Sequence, residues 1–230
     1  MTLGLFKLYY ILYIGGAVMS ELLSTLQKNY IFAVVRGKNE VDAEKICIAA
    51  VKGGIKNLEV TYTTPNATLV ISNLVEKYSD NDEVIVGAGT VMNLSMAKEA
   101  YEAGARFLVS PHFDPIIAEF AHEKNIYYMP GCATATEIVN AMKARCKIIK
   151  IFPGGILGPN FISDIHGPIP GANLMPSGGV SIDNIEKWMS KGAIAVGIGS
   201  ALTKNLDEMG YESITETAKI FSDKVKNFNA

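Results

Sequence analysis

A single lysine, Lys150, lies inside an apolar run, Ile-Ile-Lys-Ile-Phe, at positions 148–152. Burial disfavours the charged form of a lysine and lowers its pKa, so more of the amine is neutral and able to attack a carbonyl carbon. A buried lysine can also belong to a structural ion pair. The sequence therefore allows two interpretations of Lys150, a Schiff-base nucleophile or one half of a packing network.

A carboxylate in a similar setting is Glu59, which has an apolar residue on each side. Because side chains alternate along a strand, Glu59 and Thr61 share the face opposite these apolar neighbours. We predict that Glu59 and Lys150 both point into a barrel from opposite sides and face each other across a pocket that holds a small substrate. Glu59 would then be a general base. The alternative is a buried ion pair without a substrate.

Two glycine-rich segments, Ser177-Gly178-Gly179 and Gly199-Ser200, follow late apolar runs. Such loops expose backbone N–H groups, and the start of a following helix adds a favourable dipole; barrels commonly bind phosphate in this way. One Gly-Gly pair alone would predict only a turn. Two such loops after consecutive strands predict a phosphorylated, carbonyl-bearing small molecule as the substrate.

These residues must be positioned by a repeating array of strands and helices. Gly54, Gly104 and Gly192 each lie where a helical stretch meets an apolar run, as a left-handed helix cap requires. Their spacing fits two and four copies of a βα unit of roughly 22 to 25 residues. We predict eight strands, at 31–36, 57–61, 84–88, 107–110, 126–129, 148–152, 174–176 and 194–198.

The apolar character of these runs does not alternate, which is typical of parallel strands buried on both faces. Eight such units predict an α/β fold, a single-domain (β/α)8 TIM barrel with a short N-terminal helix. A doubly wound open sheet is the competing architecture. In a barrel, Lys150 would lie about two residues from the carboxyl end of its strand, where these folds build their active sites.

Composition and charge exclude several classes of function. The 230-residue chain has a net charge of −2, a pI near 6.0 and no basic run, so nucleic acid is not an expected partner. Its three cysteines form no Cys-x-x-Cys pair, which predicts neither a disulfide framework nor a zinc site and fits a cytoplasmic protein. The three histidines lack ligand spacing. We expect neither a metal nor an organic cofactor.

Residues 1–18 form an apolar stretch with one charge, Lys7. Its apolar run is shorter than the roughly 20 residues that a membrane span needs, so no membrane attachment is expected. Met19 begins a new amphipathic stretch. We predict that residues 1–18 are a translated leader or an apolar extension, and that residues 19–230 are the barrel domain.

Eight motifs in sequence order give the chain a specific resemblance over about residues 20 to 225: FAVVRGK, LEVTYTTPNA, GAGTV, LVSPHFD, YMPGCATATE, IIKIFPG, MPSGGV and VGIGSAL. The chain resembles the 2-keto-3-deoxy-6-phosphogluconate aldolases, a family that also includes 4-hydroxy-2-oxoglutarate aldolases. The resemblance implies a class I lyase of carbohydrate metabolism, in the Entner–Doudoroff pathway, that forms a Schiff base with pyruvate. It also implies a cytoplasmic homotrimer that needs no cofactor.

The same resemblance implies a role for particular residues. The Schiff-base lysine falls on Lys150 and the proton-transferring glutamate on Glu59. Positions that bind the substrate or line its pocket fall on Arg36, Thr90, Pro111, Phe152 and Ser177, and the phosphate loops on Gly178, Gly179, Gly199 and Ser200.

Two positions depart from the family's pattern. Thr63 stands where some members have an arginine that helps to hold the substrate carboxylate, and Ser177 stands where threonine is common. The preference among the phosphogluconate derivative, its galactonate epimer and hydroxy-oxoglutarate therefore stays open. A phosphate-binding isomerase or epimerase, a metal-dependent aldolase and a non-catalytic barrel are the rival interpretations.

Overall fold

The computed structural model describes residues 19–228. The prediction of a leader at residues 1–18 lies outside this range. Short strands, all paired in parallel, alternate with helices along the described residues. This order is the one that the apolar runs predicted.

Within the described range there are nine strands. Eight of them overlap the predicted runs to within about two residues, and a very short additional strand follows the fifth. The strands are β1 Ile31–Val35, β2 Asn57–Thr61, β3 Ile85–Gly89, β4 Phe107–Val109, β5 Tyr127–Met129, β6 Gly131–Cys132, β7 Ile149–Ile151, β8 Leu174–Pro176 and β9 Val196–Ile198.

Some of the helices begin at a polar side chain that satisfies a free backbone N–H group. Four N-cap side chains, those of Asn39, Asn93, Asp114 and Thr134, accept a hydrogen bond from the first turn of their helix. The helices are α1 (residues 19–29), α2 Glu40–Lys52, α3 Ala67–Lys77, α4 Leu94–Glu102, α5 Pro115–Glu123, α6 Ala135–Lys143, α7 Gly154–Leu157, α8 Asn160–His166, α9 Ile185–Ser190, α10 Ser200–Thr203, α11 Leu206–Met209 and α12 Glu212–Phe228.

The predicted left-handed glycines at the helix exits are confirmed. The φ angles of Gly54, Gly104 and Gly192 are 97°, 90° and 94°. A residue with a Cβ adopts this region only with strain, so glycine lets the chain turn sharply from each helix into the next strand.

The strands form two parallel sheets, in the orders β5-β4-β3-β2-β1-β9 and β6-β7-β8. The break between β5 and β6 falls at Pro130, which has no N–H to donate to a ladder. An isolated parallel bridge between Ser177 and Gly197 joins the carboxyl end of β8 to the middle of β9. The described strands therefore form an α/β fold with a parallel sheet curled into a half-barrel, as the predicted α/β class requires, and their hydrogen bonds are divided between two ladders.

Two apolar layers lie on the two faces of the strands. Ile149 and Ile151 belong to the outer layer, between the strands and the helices, whereas Ile148 belongs to the inner layer. This is the alternation predicted around Lys150. The inner layer consists of Leu22, Leu26, Phe32, Ile85, Phe107, Val109, Tyr127, Met129, Ile148, Met175 and Ala195.

Helix α1 covers the amino-terminal ends of the strands. Its residues Leu22 and Leu26 pack into the inner layer. Asn57 at the start of β2 donates a hydrogen bond of 3.0 Å to the carbonyl of Leu26, and Tyr127 donates one of 2.6 Å to the carbonyl of Met19. The interior is thereby closed at this end, and the polar residues of the strands lie toward the other end.

Candidate active site

Lys150 is the central residue of β7, with 5% of its surface exposed. Its backbone N–H donates to the carbonyl of Pro130 at 2.9 Å, and it is in register with Gly131 on one side and Met175 on the other. The strand therefore holds the lysine between two neighbours and directs its side chain to the interior, as the sequence predicted.

Glu59 is the central residue of β2 and is completely buried. The neighbouring strand β3 carries glycine at 87 and 89 on the face toward the interior. A Cβ at residue 89 would lie 2.6 Å from Cγ of Glu59, closer than any real packing contact. The absence of a side chain at Gly89 is therefore what makes room for the glutamate.

The Lys150 amine and the Glu59 carboxylate are 3.6 Å apart, measured from Nζ to Oε1. The prediction of a substrate-sized gap between them is thus wrong. The reason is side-chain length, because a lysine and a glutamate extending from opposite sides of a narrow interior meet near its axis. A substrate must bind next to this pair or displace it, since no molecule fits between the two groups.

The environment of Glu59 favours its protonated form. Burial is the largest influence and raises the pKa of the carboxyl above its usual range, and the positive charges of Lys150 and Arg36 offset this only in part. Within residues 19–228, neither carboxylate oxygen has a hydrogen-bond partner. Such a carboxyl holds a proton at pH values where an exposed glutamate has lost it, and its free oxygens can accept a hydrogen bond from a bound molecule.

Two of the predicted substrate-binding residues, Arg36 and Thr90, directly follow the ends of β1 and β3. Arg36 is exposed, and its Nη1 lies so close to Gly199 that a Cβ there would be 3.2 Å from it. Thr90 is half-buried and has a φ of 56°, a strained conformation for a β-branched residue. Arg36 is thus brought beside one of the predicted phosphate loops.

Phe152 lies beside the Lys150 amine, and Pro111 packs on the strand next to β7. The backbone of Pro111 packs against Gly131, which is in register with Lys150. The Lys150 amine lies 5.3 Å from the centre of the Phe152 ring.

The glycine loops lie at the same edge of the sheet. Gly178 and Gly179 are exposed and have φ angles of 80° and 79°, and Ser177 before them is buried. The expected contribution from a following helix is only partly present. Helix α9 does not begin until Ile185, and α10, which begins at the exposed Ser200, has four residues. Backbone N–H groups, more than helix dipoles, are what these loops offer to an anion.

Sequence reasoning left Thr61 out of the site, although it placed this residue on the same face as Glu59. Thr61 is completely buried, donates a hydrogen bond of 2.9 Å to the carbonyl of Val35 and lies 2.7 Å from the hydroxyl of Thr63. The signal that could have found it is a polar residue two positions beyond a catalytic candidate on the same face of a strand.

Two further properties concern the described residues alone. In residues 19–228, no group of three or more His, Cys, Asp or Glu side chains is gathered in a way that could hold a metal ion. No helix between residues 19 and 228 has both the length and the apolar character that crossing a bilayer demands.

A family model described as "KDPG and KHG aldolase" matches residues 22–217, which is most of the chain. The chain belongs to the KDPG and KHG aldolase family. It is therefore related to lyases that cleave carbon–carbon bonds, and the family predicted from the eight motifs is confirmed.

Named relatives agree with this membership. The KHG/KDPG aldolase of Escherichia coli K12 is 31% identical over 85% of this chain and 92% of its own length. A probable 2-dehydro-3-deoxy-6-phosphogalactonate aldolase of Rhizobium meliloti is 30% identical over 76% of this chain and 82% of its own. A Legionella pneumophila KDPG aldolase, crystallised with pyruvate captured as a covalent carbinolamine, superposes with a TM-score of 0.75 at 27% identity, over 83% of this chain and 92% of that one.

Proposed function

We propose that this aldolase cleaves 2-dehydro-3-deoxy-6-phosphogluconate to pyruvate and glyceraldehyde 3-phosphate through a Schiff base on Lys150. The observation that carries the proposal is the buried pair of Lys150 and Glu59, whose amine and carboxylate are 3.6 Å apart inside the fold. The names of the relatives, which include KHG/KDPG aldolase, support the same substrate class.

Lys150 begins the reaction. The ionised form of Glu59, which its raised pKa makes a stronger base than an exposed glutamate, can take a proton from the Lys150 ammonium and leave a neutral amine. The amine adds to the C2 ketone to give a carbinolamine, and Glu59 returns the proton to the departing hydroxyl, which leaves as water. The product is a protonated imine, which can accept an electron pair.

The imine then draws electrons from the carbon chain. As the C3–C4 bond breaks, its electron pair moves to C3 and the imine becomes an enamine. Glu59, through a water molecule, removes the proton of the C4 hydroxyl, and glyceraldehyde 3-phosphate is released. Protonation of the enamine at C3 restores the imine, and hydrolysis releases pyruvate and the free lysine.

The other predicted residues would hold the substrate during these steps. Arg36 and Thr90 anchor the carboxylate next to C2, and Ser177 contributes a hydroxyl at the same edge. Pro111 and Phe152 exclude water from the imine. The phosphate is bound by the N–H groups of the glycine loops, formed by Gly178, Gly179, Gly199 and Ser200.

We further propose that the two sheets together form a (β/α)8 barrel. The bridge between Ser177 and Gly197 joins one pair of sheet edges. The other pair of edges is joined covalently, because β5 and β6 are separated only by Pro130. We also propose that the protein is a cytoplasmic homotrimer that acts in the Entner–Doudoroff pathway. Light scattering on the purified protein measures the number of subunits.

Borohydride reduction in the presence of pyruvate tests the chemistry. Mass spectrometry should find one pyruvate-derived adduct per chain, on the peptide that contains Lys150. A Lys150→Ala protein should form none, and an adduct on that variant would contradict the proposal. A phosphate-binding isomerase or epimerase would trap no pyruvate, so the same experiment separates the two functions.

Comparison of kcat/KM for three substrates tests the specificity. The proposal expects the phosphogluconate derivative to be preferred over its galactonate epimer and over 4-hydroxy-2-oxoglutarate. A preference for the galactonate epimer would place the protein with the relative of Rhizobium meliloti named for that compound.

A further inference from the structure

A second cavity lies at the amino-terminal ends of the strands. It has a volume of about 320 Å³ and is lined by helix α5, by the loops that precede β5 and β7, and by Met19 of α1. Sites for small molecules begin at about this size. None of the residues assigned to the aldolase reaction lines it, because those residues lie within the strands or follow their carboxyl ends. The cavity is therefore separate from the proposed active site.

The floor of this cavity is apolar. Ala118 and Ala121 on α5 and Ile126, just before β5, line it and are buried. The phenol of Tyr127 donates a hydrogen bond of 2.6 Å to the carbonyl of Met19, and this bond joins two sides of the cavity without help from a ligand. A molecule that fills the space gains free energy because its apolar surface leaves water.

Three basic residues, His122, Arg145 and Lys147, line the same cavity and are exposed. The ion pairs of residues 19–228 include none of the three. No aspartate or glutamate of the described residues lines this cavity, whereas three other cavities of the fold each have at least two. Although the chain has a net charge of −2, the cavity has a local excess of positive charge, which favours an anion.

A solvated basic surface would explain these charges without a ligand, but it does not explain the backbone of Arg145. This residue follows the C-cap of α6 with a φ of 63°. The equivalent positions after α2, α4 and α9 are Gly54, Gly104 and Gly192. An arginine adopts the left-handed region only with strain, and such strain points to a role other than folding. The place of Arg145 at the cavity supplies that role.

We propose that this cavity binds a small organic anion with an apolar body. The charged group lies at the rim with Arg145 and Lys147, and the apolar body lies on the floor formed by Ala118, Ala121 and Ile126. Hydrogen bonds from a guanidinium to an oxyanion are strengthened by the two charges and hold the anion at the rim. This binding function goes beyond the aldolase reaction and does not depend on it.

The test uses naphthalene-2-carboxylate as the probe and naphthalene-2-carboxamide as its neutral counterpart. Titration of the full chain, followed by NMR of the ligand, should give a Kd of about 1 mM for the carboxylate, as expected for a ligand of this size. The carboxamide should bind about fivefold more weakly, because it forms no ion pair at the rim.

Arg145→Gly is the decisive variant, because glycine removes the cation and relieves the backbone strain. We expect the Kd of the carboxylate to rise about 5- to 10-fold while the melting temperature stays the same or rises. Arg145→Lys, which keeps a positive charge, should bind more tightly than Arg145→Gly. Arg106→Met, at a different cavity, and Lys143→Met, on the exposed face of α6, are matched controls and should leave the Kd unchanged.

Arg36→Met shows where the probe binds, since Arg36 lies beside the glycine loop at Gly199. Its Kd should equal that of the wild type. Loss of binding in Arg36→Met with normal binding in Arg145→Gly would place the probe in the active site and overturn the inference. Equal affinity for carboxylate and carboxamide, or no binding at up to about 10 mM probe, would overturn it as well. A lower melting temperature with unchanged affinity in Arg145→Gly would make this arginine structural.

Discussion

Gly89 on β3 is packed against Glu59 on β2 so closely that a Cβ at residue 89 would lie 2.6 Å from Cγ of the glutamate. We predict that Gly89→Ala displaces the carboxyl and lowers kcat/KM by about 100-fold, the cost expected when a catalytic group moves by about 1 Å. Overpacking should also lower the stability by about 1–3 kcal/mol. Steady-state kinetics and thermal unfolding measure the two effects.

Gly171→Ala is the matched control for this variant, because a Cβ at residue 171 would meet nothing within 4 Å. It should leave both activity and melting temperature close to the wild type. Full activity in a folded Gly89→Ala protein would mean that Glu59 does not need the position in which it is found.

Glu59→Gln should separate binding of pyruvate from turnover. The amide keeps the shape of the side chain but cannot take up a proton, so we expect turnover to fall about 100- to 10,000-fold. Borohydride should still trap pyruvate on Lys150 after long incubation. Glu216→Gln, at an exposed site on α12, serves as the control. Unchanged turnover in Glu59→Gln would make the glutamate structural.

The raised pKa of Glu59 predicts the acid side of the pH profile. The general base is the carboxylate, which is lost when the pH falls through the pKa of the group. An exposed glutamate has a pKa of about 4.3. Because burial raises the pKa of Glu59, log kcat/KM should begin to fall at a higher pH than this value when the pH is lowered. A profile from pH 4 to 8 measures this, and a decline that begins only at the ordinary value would contradict the assignment.

Gly179→Ala should affect the phosphorylated substrate selectively. The φ of Gly179 is 79°, and a Cβ there would lie 2.6 Å from the Cα of Gly155 in helix α7. Distortion of the loop removes N–H donors from the phosphate, so KM for the phosphorylated substrate should rise about tenfold or more. The trapping of pyruvate, which has no phosphate, should change little.

Gly210→Ala separates backbone strain from the steric clash. Gly210 has a similar φ of 70°, but a Cβ there would meet nothing within 4 Å. Its alanine variant should lose some stability and keep the wild-type KM. An equal rise of KM in both variants would mean that Gly179 has no special relation to the phosphate.

Much of this architecture could be predicted from the sequence, because it depends on periodic patterns. Apolar runs gave the strands, and the alternation around Lys150 and Glu59 gave the face on which each side chain lies. Motifs that resemble the aldolases gave the family. Each of these features depends on one strand or one short segment, and the order of residues specifies it locally.

The features that the sequence did not predict depend on distances between segments far apart in the chain. The span between Lys150 and Glu59 is set by the width of the interior, which depends on the glycines of neighbouring strands such as Gly89. The ladder is interrupted at Pro130, which cannot donate an N–H to a neighbouring strand. The hydrogen bond from Thr61 to the carbonyl of Val35 joins two strands, and no pattern within β2 alone specifies it.

The covering of the strands by α1 has a kinetic consequence. Since Leu22 and Leu26 seal one end of the interior, both products must leave by the same opening. In the proposed mechanism, the ketoacid fragment is still covalently attached to the buried Lys150 when the aldehyde fragment forms. Departure should therefore be sequential, and pyruvate should inhibit competitively, whereas glyceraldehyde 3-phosphate should show a mixed pattern.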